Sequence, residues 1–290
     1  MTYIHEVLER STHENPAFSF EIFPPKGDLA IEQARTILGD LRHYDPAFIS
    51  VTYSAGGTGN SDKTIDIARM GSEEFNVRTM AHLTCVNSSK QDIDQVIERM
   101  KHAGIKNVLA LRGDLREGCQ TSDFSYAKDL IPLLRDAGFS VGAAASTEGH
   151  IDCLDFNTSL EHLKEKQDAG AQFFVTQLFF DNEYALRFAQ AAEDAGITVP
   201  ITYGIMPFLS KNQVSRMIFM CGASLPSAII KLLNRYDGND EDLRKAGIEY
   251  ACQQLIDLHT AGITNLHGYI MNQPDIAQSM HAALTDVGIL

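Results

Sequence analysis

The chain has 290 residues, of which 44% are hydrophobic and 21% charged, the balance of a globular protein with a large core. Its formal net charge of −14 at pH 7 repels nucleic acid and anionic membranes, so neither is an expected partner. The first ten residues, MTYIHEVLER, lack a basic segment followed by an apolar one, and no apolar run reaches the ~20 residues of a membrane span. We therefore expect a cytoplasmic protein that acts on small molecules.

The five cysteines are odd in number, widely spaced and without a C-x-x-C pair; they stand at positions 85, 119, 153, 221 and 252. Zinc sites and disulfide frameworks both use closer spacings. We predict no metal site, and thiols that stay reduced in the cytosol.

Short runs of β-branched and aromatic residues predict eight strands. The first seven runs begin about thirty residues apart, the length of one β-loop-α-loop unit. The predicted strands are Ala17–Phe23, Phe48–Ser54, Arg78–Cys85, Asn107–Asp114, Ser140–Ser146, Phe173–Phe180, Pro200–Met206 and Asn265–Met271.

The segments between these strands have the apolar spacing of amphipathic helices, as in Ile93, Val96, Ile97 and Met100, and several end at a glycine such as Gly104. Strand, helix, glycine, strand is typical of a parallel sheet. Eight such units predict a single (β/α)8 barrel over residues 1–290. An open doubly wound sheet is the alternative, but no G-x-G-x-x-G follows the first strand. Extra helices are predicted before the eighth strand, at Leu209–Met220, Pro226–Arg235 and Asp240–Ala261.

Polar residues stand at nearly every predicted strand end, where the active sites of (β/α)8 barrels lie. A polar group in an apolar strand is costly unless it has partners. Any one of them alone is equally explained as a satisfied core group, but together they indicate a site. The residues are Glu21, Thr52, His82, Arg112, Asp114, Glu148, His150, Gln177 and Tyr269.

Glu21 lies in F-S-F-E-I-F-P-P, between phenylalanines and before a Pro-Pro turn. A carboxyl among aromatic side chains is expected to stay protonated, which suits a general acid near neutral pH. The alternative is a carboxylate paired with Lys or Arg on a neighbouring strand. Arg112 is expected to pair with a phosphate or with Asp114. For His82 we favour contact with a planar cofactor over metal binding.

These motifs together resemble those of bacterial methylenetetrahydrofolate reductases. The matching stretches, over roughly residues 18–282, are F-S-F-E-I-F-P-P-K, F-I-S-V-T-Y, H-L-T-C, L-A-L-R-G-D, D-A-G-A-x-F-F-V-T-Q-L-F-F-D and G-I-M-P. The resemblance implies a cytoplasmic FAD enzyme of one-carbon metabolism, on a (β/α)8 barrel, that forms a dimer or tetramer. It would reduce 5,10-methylenetetrahydrofolate to 5-methyltetrahydrofolate with NADH or NADPH, in a ping-pong hydride transfer through flavin N5. The choice between NADH and NADPH stays open.

The resemblance also implies roles for individual residues. Glu21 would be the acid that assists opening of the folate's five-membered ring, Asp114 would contact the pterin and tune the flavin, and Gln177 would bind the pterin or the nicotinamide. Tyr269 and Gln273 would contact the folate. The positions that contact the cofactors would be Thr52, Tyr53, Ala55, His82, Arg112, Gly113, Asp114, Ala127, Ser146, His150 and Lys166.

The chain departs from the family pattern around the flavin. Ser146 replaces the tyrosine of Y-P-E-x-H, Ser159 and His162 stand where Asp and Asn are common, and Glu165 stands where a basic residue can occur. Because aromatic packing contributes about 0.5–1.5 kcal/mol beyond burial, loss of the tyrosine predicts several-fold weaker FAD binding. Gln273 removes a cation that could meet the folate's glutamate tail.

These departures leave two alternatives open. The first is a reductase that works without flavin or that needs an electron-donating partner. The second is a non-catalytic paralogue that binds folate or flavin, which the retention of Glu21 argues against.

Overall fold

The structure is a computed structural model that describes residues 3–27, 30–53, 61–114, 123–153 and 155–290. Its elements in chain order are α1 (Ile4–Glu9), β1 (Ala17–Ile22), α2 (Ala30–Leu41), a 3-10 turn (Arg42–Tyr44), β2 (Ile49–Val51), α3 (Ser61–Glu73), β3 (Thr79–Thr84), α4 (Lys90–His102), β4 (Asn107–Leu111), α5 (Ala127–Asp136), β5 (Ser140–Ala145), α6 (Phe156–Asp168), β6 (Phe173–Thr176), α7 (Asn182–Asp194), β7 (Ile201–Ile205), α8 (Lys211–Cys221), α9 (Ser227–Arg235), α10 (Asp240–Thr260), β8 (Asn265–Tyr269) and α11 (Pro274–Asp286).

The eight strands form a closed parallel barrel in chain order, which confirms the predicted fold. Strand β8 returns to pair with β1, so that Ser19 lies opposite His267 and Glu21 lies opposite Tyr269. Each parallel pair needs a crossover, and the intervening helices supply it. All six residues of β3 are buried, as expected for a strand covered on both faces.

Helix α4 is capped at its first turn and ends at the glycine that its sequence predicts. The Ser89 hydroxyl accepts the backbone N–H of Asp92 at 3.1 Å, and the Asp92 carboxylate accepts the N–H of Ser89 at 2.9 Å. This reciprocal pair satisfies N–H groups that the first turn leaves free. After the helix, Gly104 adopts φ +70°, a left-handed conformation that glycine reaches without strain.

The short helix α1 closes the N-terminal end of the barrel. Ile4 and Leu8 are buried against Phe48, Met80 and other side chains inside the barrel. The Ile4 N–H donates to the side-chain oxygen of Asn107 at 2.9 Å, which fixes the helix to β4. This end is therefore filled by side chains.

The three helices predicted before the eighth strand are confirmed as α8, α9 and α10. They surround an apolar cluster that includes Met206, Phe208, Ile229 and Leu243 and that contacts Tyr269. The insertion therefore packs on the ends of β7 and β8. In the described part of the chain, no helix is both long and apolar enough to cross a membrane.

Gly247 on α10 lies against the backbone of Phe208, and a Cβ at that position would collide with the Phe208 carbonyl oxygen. We expect Gly247→Ala to lower the free energy of unfolding by about 1–3 kcal/mol, because backbone cannot move aside as a side chain can. Gly39→Ala on α2 is the control. Its Cβ would lie 3.4 Å from the Phe75 ring, and we expect it to gain about 0.5–1 kcal/mol of helix stability. Urea denaturation of both variants measures the difference, and equal effects would contradict the close packing of α10.

Candidate active site

A cavity of about 680 Å³ lies at the C-terminal ends of the strands. Its size is typical of small-molecule sites, and its place is where barrel enzymes bind their ligands. The structure brings most of the residues singled out from the sequence onto its lining: Glu21, Thr52, Tyr53, His82, Arg112, Gly113, Asp114, Ala127, Ser146, His150, Lys166, Gln177 and Tyr269.

Two of the described residues considered from the sequence do not line the cavity, and Ala55 falls outside the described residues. Glu148 instead accepts the backbone N–H of Ser224 on both carboxylate oxygens at 3.1 Å, and so fastens the loop after β5 to the loop before α9. Gln273 accepts a hydrogen bond from Arg244 at 2.8 Å, away from the cavity lining.

Glu21 points into a group of polar side chains carried by three neighbouring strands. Its Oε2 accepts a hydrogen bond from Ser50 Oγ at 3.2 Å. The same oxygen lies 3.5 Å from Nε2 of His82 and 3.9 Å from Nε2 of His267. Only 19% of the Glu21 side chain is exposed, while both rings are almost fully buried.

The expectation that Glu21 stays protonated is wrong for this structure. Burial does raise its pKa, but His267, His82 and the Ser50 hydroxyl together outweigh burial and hold the pKa below its ordinary value. The alternative, a Lys or Arg partner, is wrong as well, since the partners are imidazoles. Burial in turn lowers the pKa of His82, and the Glu21 carboxylate opposes that shift.

The sequence reasoning missed His267, which Ser19 holds in place: Ser19 Oγ lies 2.8 Å from His267 Nδ1. The sequence contained a signal for it. His267 stands two residues before Tyr269 in β8, as Ser19 stands two residues before Glu21 in β1, and residues two apart on a strand point to the same face. Nε2 of His82 and Nε2 of His267 are buried and have no hydrogen-bond partner among the described residues. Each of these two nitrogens lies close to the Glu21 carboxylate, at 3.5 Å for His82 and 3.9 Å for His267.

Tyr269 closes the side of this group towards β6 and β7. Its hydroxyl donates to the Thr176 carbonyl oxygen at 2.6 Å, and burial raises its pKa well above the usual value. The ring lies across Gly204, where any Cβ would overlap it. Gln177, exposed at the end of β6, accepts the backbone N–H of Leu178 at 2.9 Å through its Oε1.

The opposite side of the cavity is cationic. Arg112 forms an ion pair with Asp152 at 2.7 Å, so it is not paired with Asp114 as one expectation had it. Lys166 donates to the Ala144 carbonyl oxygen at 2.8 Å, and burial lowers its pKa to about 8. A buried amine and a guanidinium side by side are suited to an anionic ligand.

The residues that depart from the family pattern have partners within the protein. Ser159 Oγ accepts the backbone N–H of His150 at 3.1 Å. His162 Nδ1 lies 3.6 Å from the sulfur of Cys153. Glu165 pairs with Lys128 at 2.8 Å, which compensates for its reversed charge.

We expect Glu21→Gln to lower the pKa of His82 further, because the carboxylate is the group that opposes the effect of burial. Ser50→Ala is the control, since it removes one hydrogen bond and keeps the charge. The imidazole resonances followed by NMR as a function of pH measure both variants. An unchanged His82 titration in Glu21→Gln would contradict the pairing.

Comparison with known proteins shows to which family the chain is related. A family model described as methylenetetrahydrofolate reductase matches residues 5–285. The Zea mays methylenetetrahydrofolate reductase (NADH) 1 is 35% identical over 94% of this chain and 49% of its own length, so the chain spans about half of that relative. The Pectobacterium carotovorum 5,10-methylenetetrahydrofolate reductase is 31% identical over 90% of this chain and 88% of its own.

A solved structure shares the fold at low sequence identity. It is described as an uncharacterized protein from Clostridium thermocellum that binds two copies of 5-methyl-5,6,7,8-tetrahydrofolic acid, and it matches with a TM-score of 0.67 at 13% identity over 99% of each chain. The family match and the bacterial relative confirm the resemblance drawn from the strand-end motifs. The chain belongs to the methylenetetrahydrofolate reductase family.

Proposed function

We propose that the protein reduces 5,10-methylenetetrahydrofolate to 5-methyltetrahydrofolate with NADH or NADPH, and that FAD relays the hydride. The observation that carries the proposal is one cavity with two chemically different sides. The carboxylate of Glu21 stands between two imidazoles on one side, and Arg112 and Lys166 stand on the other. The first arrangement suits proton transfer and the second suits a phosphate-bearing cofactor.

The residues present fit FAD. Arg112 and Lys166 would hold its diphosphate, and Gly113, at φ +88°, allows the backbone to approach closely. The Thr84 hydroxyl lines the cavity, is buried and has no hydrogen-bond partner among the described residues, so a polar ligand atom would satisfy it. When bound, FAD supplies a site that accepts a hydride from the nicotinamide and gives one to the folate.

Glu21 is the proton donor in this proposal. Its carboxyl would face the folate nitrogen that is released when the five-membered ring opens. Covering Glu21 with the pterin removes its remaining contact with water, which raises its pKa towards the value that a general acid needs. His82 and His267 flank the carboxyl and would hold it in place, while Asp114 and Gln177 would orient the pterin.

A second candidate is a reductase of the same family that passes hydride from nicotinamide to folate without tight flavin binding. The observation that favours it is that side chains at positions expected to contact the flavin already have partners within the protein. Ser159, His162 and Glu165 are engaged with His150, Cys153 and Lys128. Ser146 offers no ring for packing.

Visible absorbance spectra distinguish the two candidates. Bound flavin that bleaches with NADH and recovers on addition of methylenetetrahydrofolate supports the FAD enzyme. In that enzyme, Glu21→Gln should abolish folate reduction and leave NADH-driven bleaching intact, because only the folate half-reaction needs the acid. A colourless protein that gains no flavin and still reduces folate supports the second candidate, and loss of both half-reactions in flavin-loaded Glu21→Gln refutes the acid assignment.

FAD affinity should fall as pH rises through about 8, because Lys166 loses its charge there in the free protein. A bound diphosphate favours the charged amine, so binding takes up a proton above that pH. We expect the Kd to rise up to about tenfold between about pH 7 and about pH 9. Lys166→Met should remove this slope, whereas Lys164→Met, on the same helix and paired with Asp168, should keep it. Flavin fluorescence titration measures all three proteins, and equal slopes would count against Lys166 as a cofactor ligand.

A further inference from the structure

The contacts of Ser19 decide which nitrogen of a neutral His267 ring carries the hydrogen. The Ser19 oxygen lies 2.8 Å from Nδ1 of His267 and 3.1 Å from the carbonyl oxygen of Leu266. A serine hydroxyl has one hydrogen to donate, and a backbone carbonyl oxygen only accepts. Both contacts are hydrogen bonds in one arrangement, in which Ser19 donates to Leu266 and accepts from Nδ1. The hydrogen of the neutral ring is therefore on Nδ1.

The orientation of the His267 ring is fixed from two further sides. The ring stacks on Phe48, with centroids 5.6 Å apart, and meets Tyr269 edge-on at 5.0 Å. Turning it over would place ring carbons against Ser19 and Glu21 and break the bond to the hydroxyl. Nε2 thus lies on the side of the Glu21 carboxylate, 3.9 Å from its Oε2. Because Nδ1 keeps its hydrogen, Nε2 is the nitrogen that takes up and releases a proton.

The proposed reaction needs a proton that Glu21 does not carry in the free protein. The surroundings of Glu21 hold its pKa below the ordinary value, so it is a carboxylate near neutral pH. Only 19% of the side chain is exposed, and a pterin placed over it would exclude water. The proton must then come from a group that is already inside. Hydrogen bonds of this kind are often long before the ligand binds and shorten in the complex, which brings Nε2 of His267 within reach.

We propose that His267 supplies this proton to Glu21, and that Ser19 is the positioning residue that makes the transfer possible. The inference rests on the proposed function, because it assumes a folate over the carboxylate. In the transfer, the Nε2–H bond of the imidazolium breaks, its electron pair stays on Nε2, and an O–H bond forms on Oε2. An imidazolium and a carboxylate thus become a neutral imidazole and a carboxyl, which protonates the folate nitrogen. A proton from solvent returns to Nε2 after the product leaves.

The other tautomer of His267 would work against the reaction. With its hydrogen on Nε2, the neutral ring would donate a hydrogen bond to the Glu21 carboxylate and stabilise the anion. The ring could lose that hydrogen only by becoming an imidazolate, which does not form near neutral pH. Removing the Ser19 hydroxyl should therefore change His267 from a proton source into a fixed hydrogen-bond donor.

Nuclear magnetic resonance of the full chain, isotope-labelled at its histidine rings, identifies the nitrogen that carries the hydrogen. The signals of His267 are assigned by their loss in His267→Gln. At alkaline pH, where the ring is neutral, we expect the hydrogen on Nδ1 in the wild type and on Nε2 in Ser19→Ala. Ser19→Thr keeps the hydroxyl and should keep the hydrogen on Nδ1. Ser50→Ala is the matched control, since it removes a buried hydroxyl that contacts Glu21 itself, and it should also leave the hydrogen on Nδ1.

The two half-reactions test the role of this tautomer. We expect Ser19→Ala to slow reduction of methylenetetrahydrofolate by about ten- to a hundredfold and to keep flavin reduction by NADH within about twofold of the wild type. Ser19→Thr should restore most of the folate rate. His267→Gln should slow the folate half-reaction by about a hundredfold, because an amide does not carry the proton. A merely structural role of Ser19 would slow both half-reactions alike.

Three results would overturn the inference in a chain that reduces folate. The first is a wild-type His267 ring whose neutral form carries its hydrogen on Nε2. The second is a Ser19→Ala variant that slows both half-reactions equally or neither. The third is a His267→Gln variant that reduces folate at the wild-type rate, since His82, at 3.5 Å from Glu21, would then be the proton source. A wild-type chain that does not reduce folate overturns the proposed function instead, and this inference with it, whatever the tautomer.

Discussion

The pairing of β8 with β1 is the contact on which both the fold and the site depend. It closes the barrel, and its register places Ser19 opposite His267 and Glu21 opposite Tyr269. A shift of one residue in β8 would turn His267 and Tyr269 to the outer face of the sheet, because side chains alternate along a strand. The hydrogen bonds that hold the two strands together thus also set the surroundings of the carboxylate.

The cavity has two regions of different charge, one around Glu21 and one around Lys166, within one acidic protein. Around Glu21, two buried imidazoles and the Ser50 hydroxyl surround a carboxylate and hold its pKa below the ordinary value. Around Lys166, burial and Arg112 work against the charge until an anion arrives. The net charge of −14 describes the outer surface and says little about either region.

The regular spacing of the strand segments was sufficient to predict the barrel. The spacing of apolar residues was sufficient to predict the three inserted helices, because each of them is long enough to show a helical period. It missed α1, whose six residues are too few for a helical period to show. Composition around Glu21 gave the wrong protonation state, since the decisive partner, His267, lies 246 residues further along the chain. The contact between Arg244 and Gln273 was missed for a similar reason, because it joins helix α10 to the turn after β8.

Helix α1 has a consequence for how ligands meet in the cavity. With Ile4 and Leu8 filling the N-terminal end of the barrel, ligands reach Glu21 from the C-terminal rim. In the reaction proposed above, a reductant and a folate that enter by the same opening would obstruct one another. An excess of either one would then slow turnover by blocking the other's entry, so the cellular ratio of the two would set the working rate as much as the abundance of each.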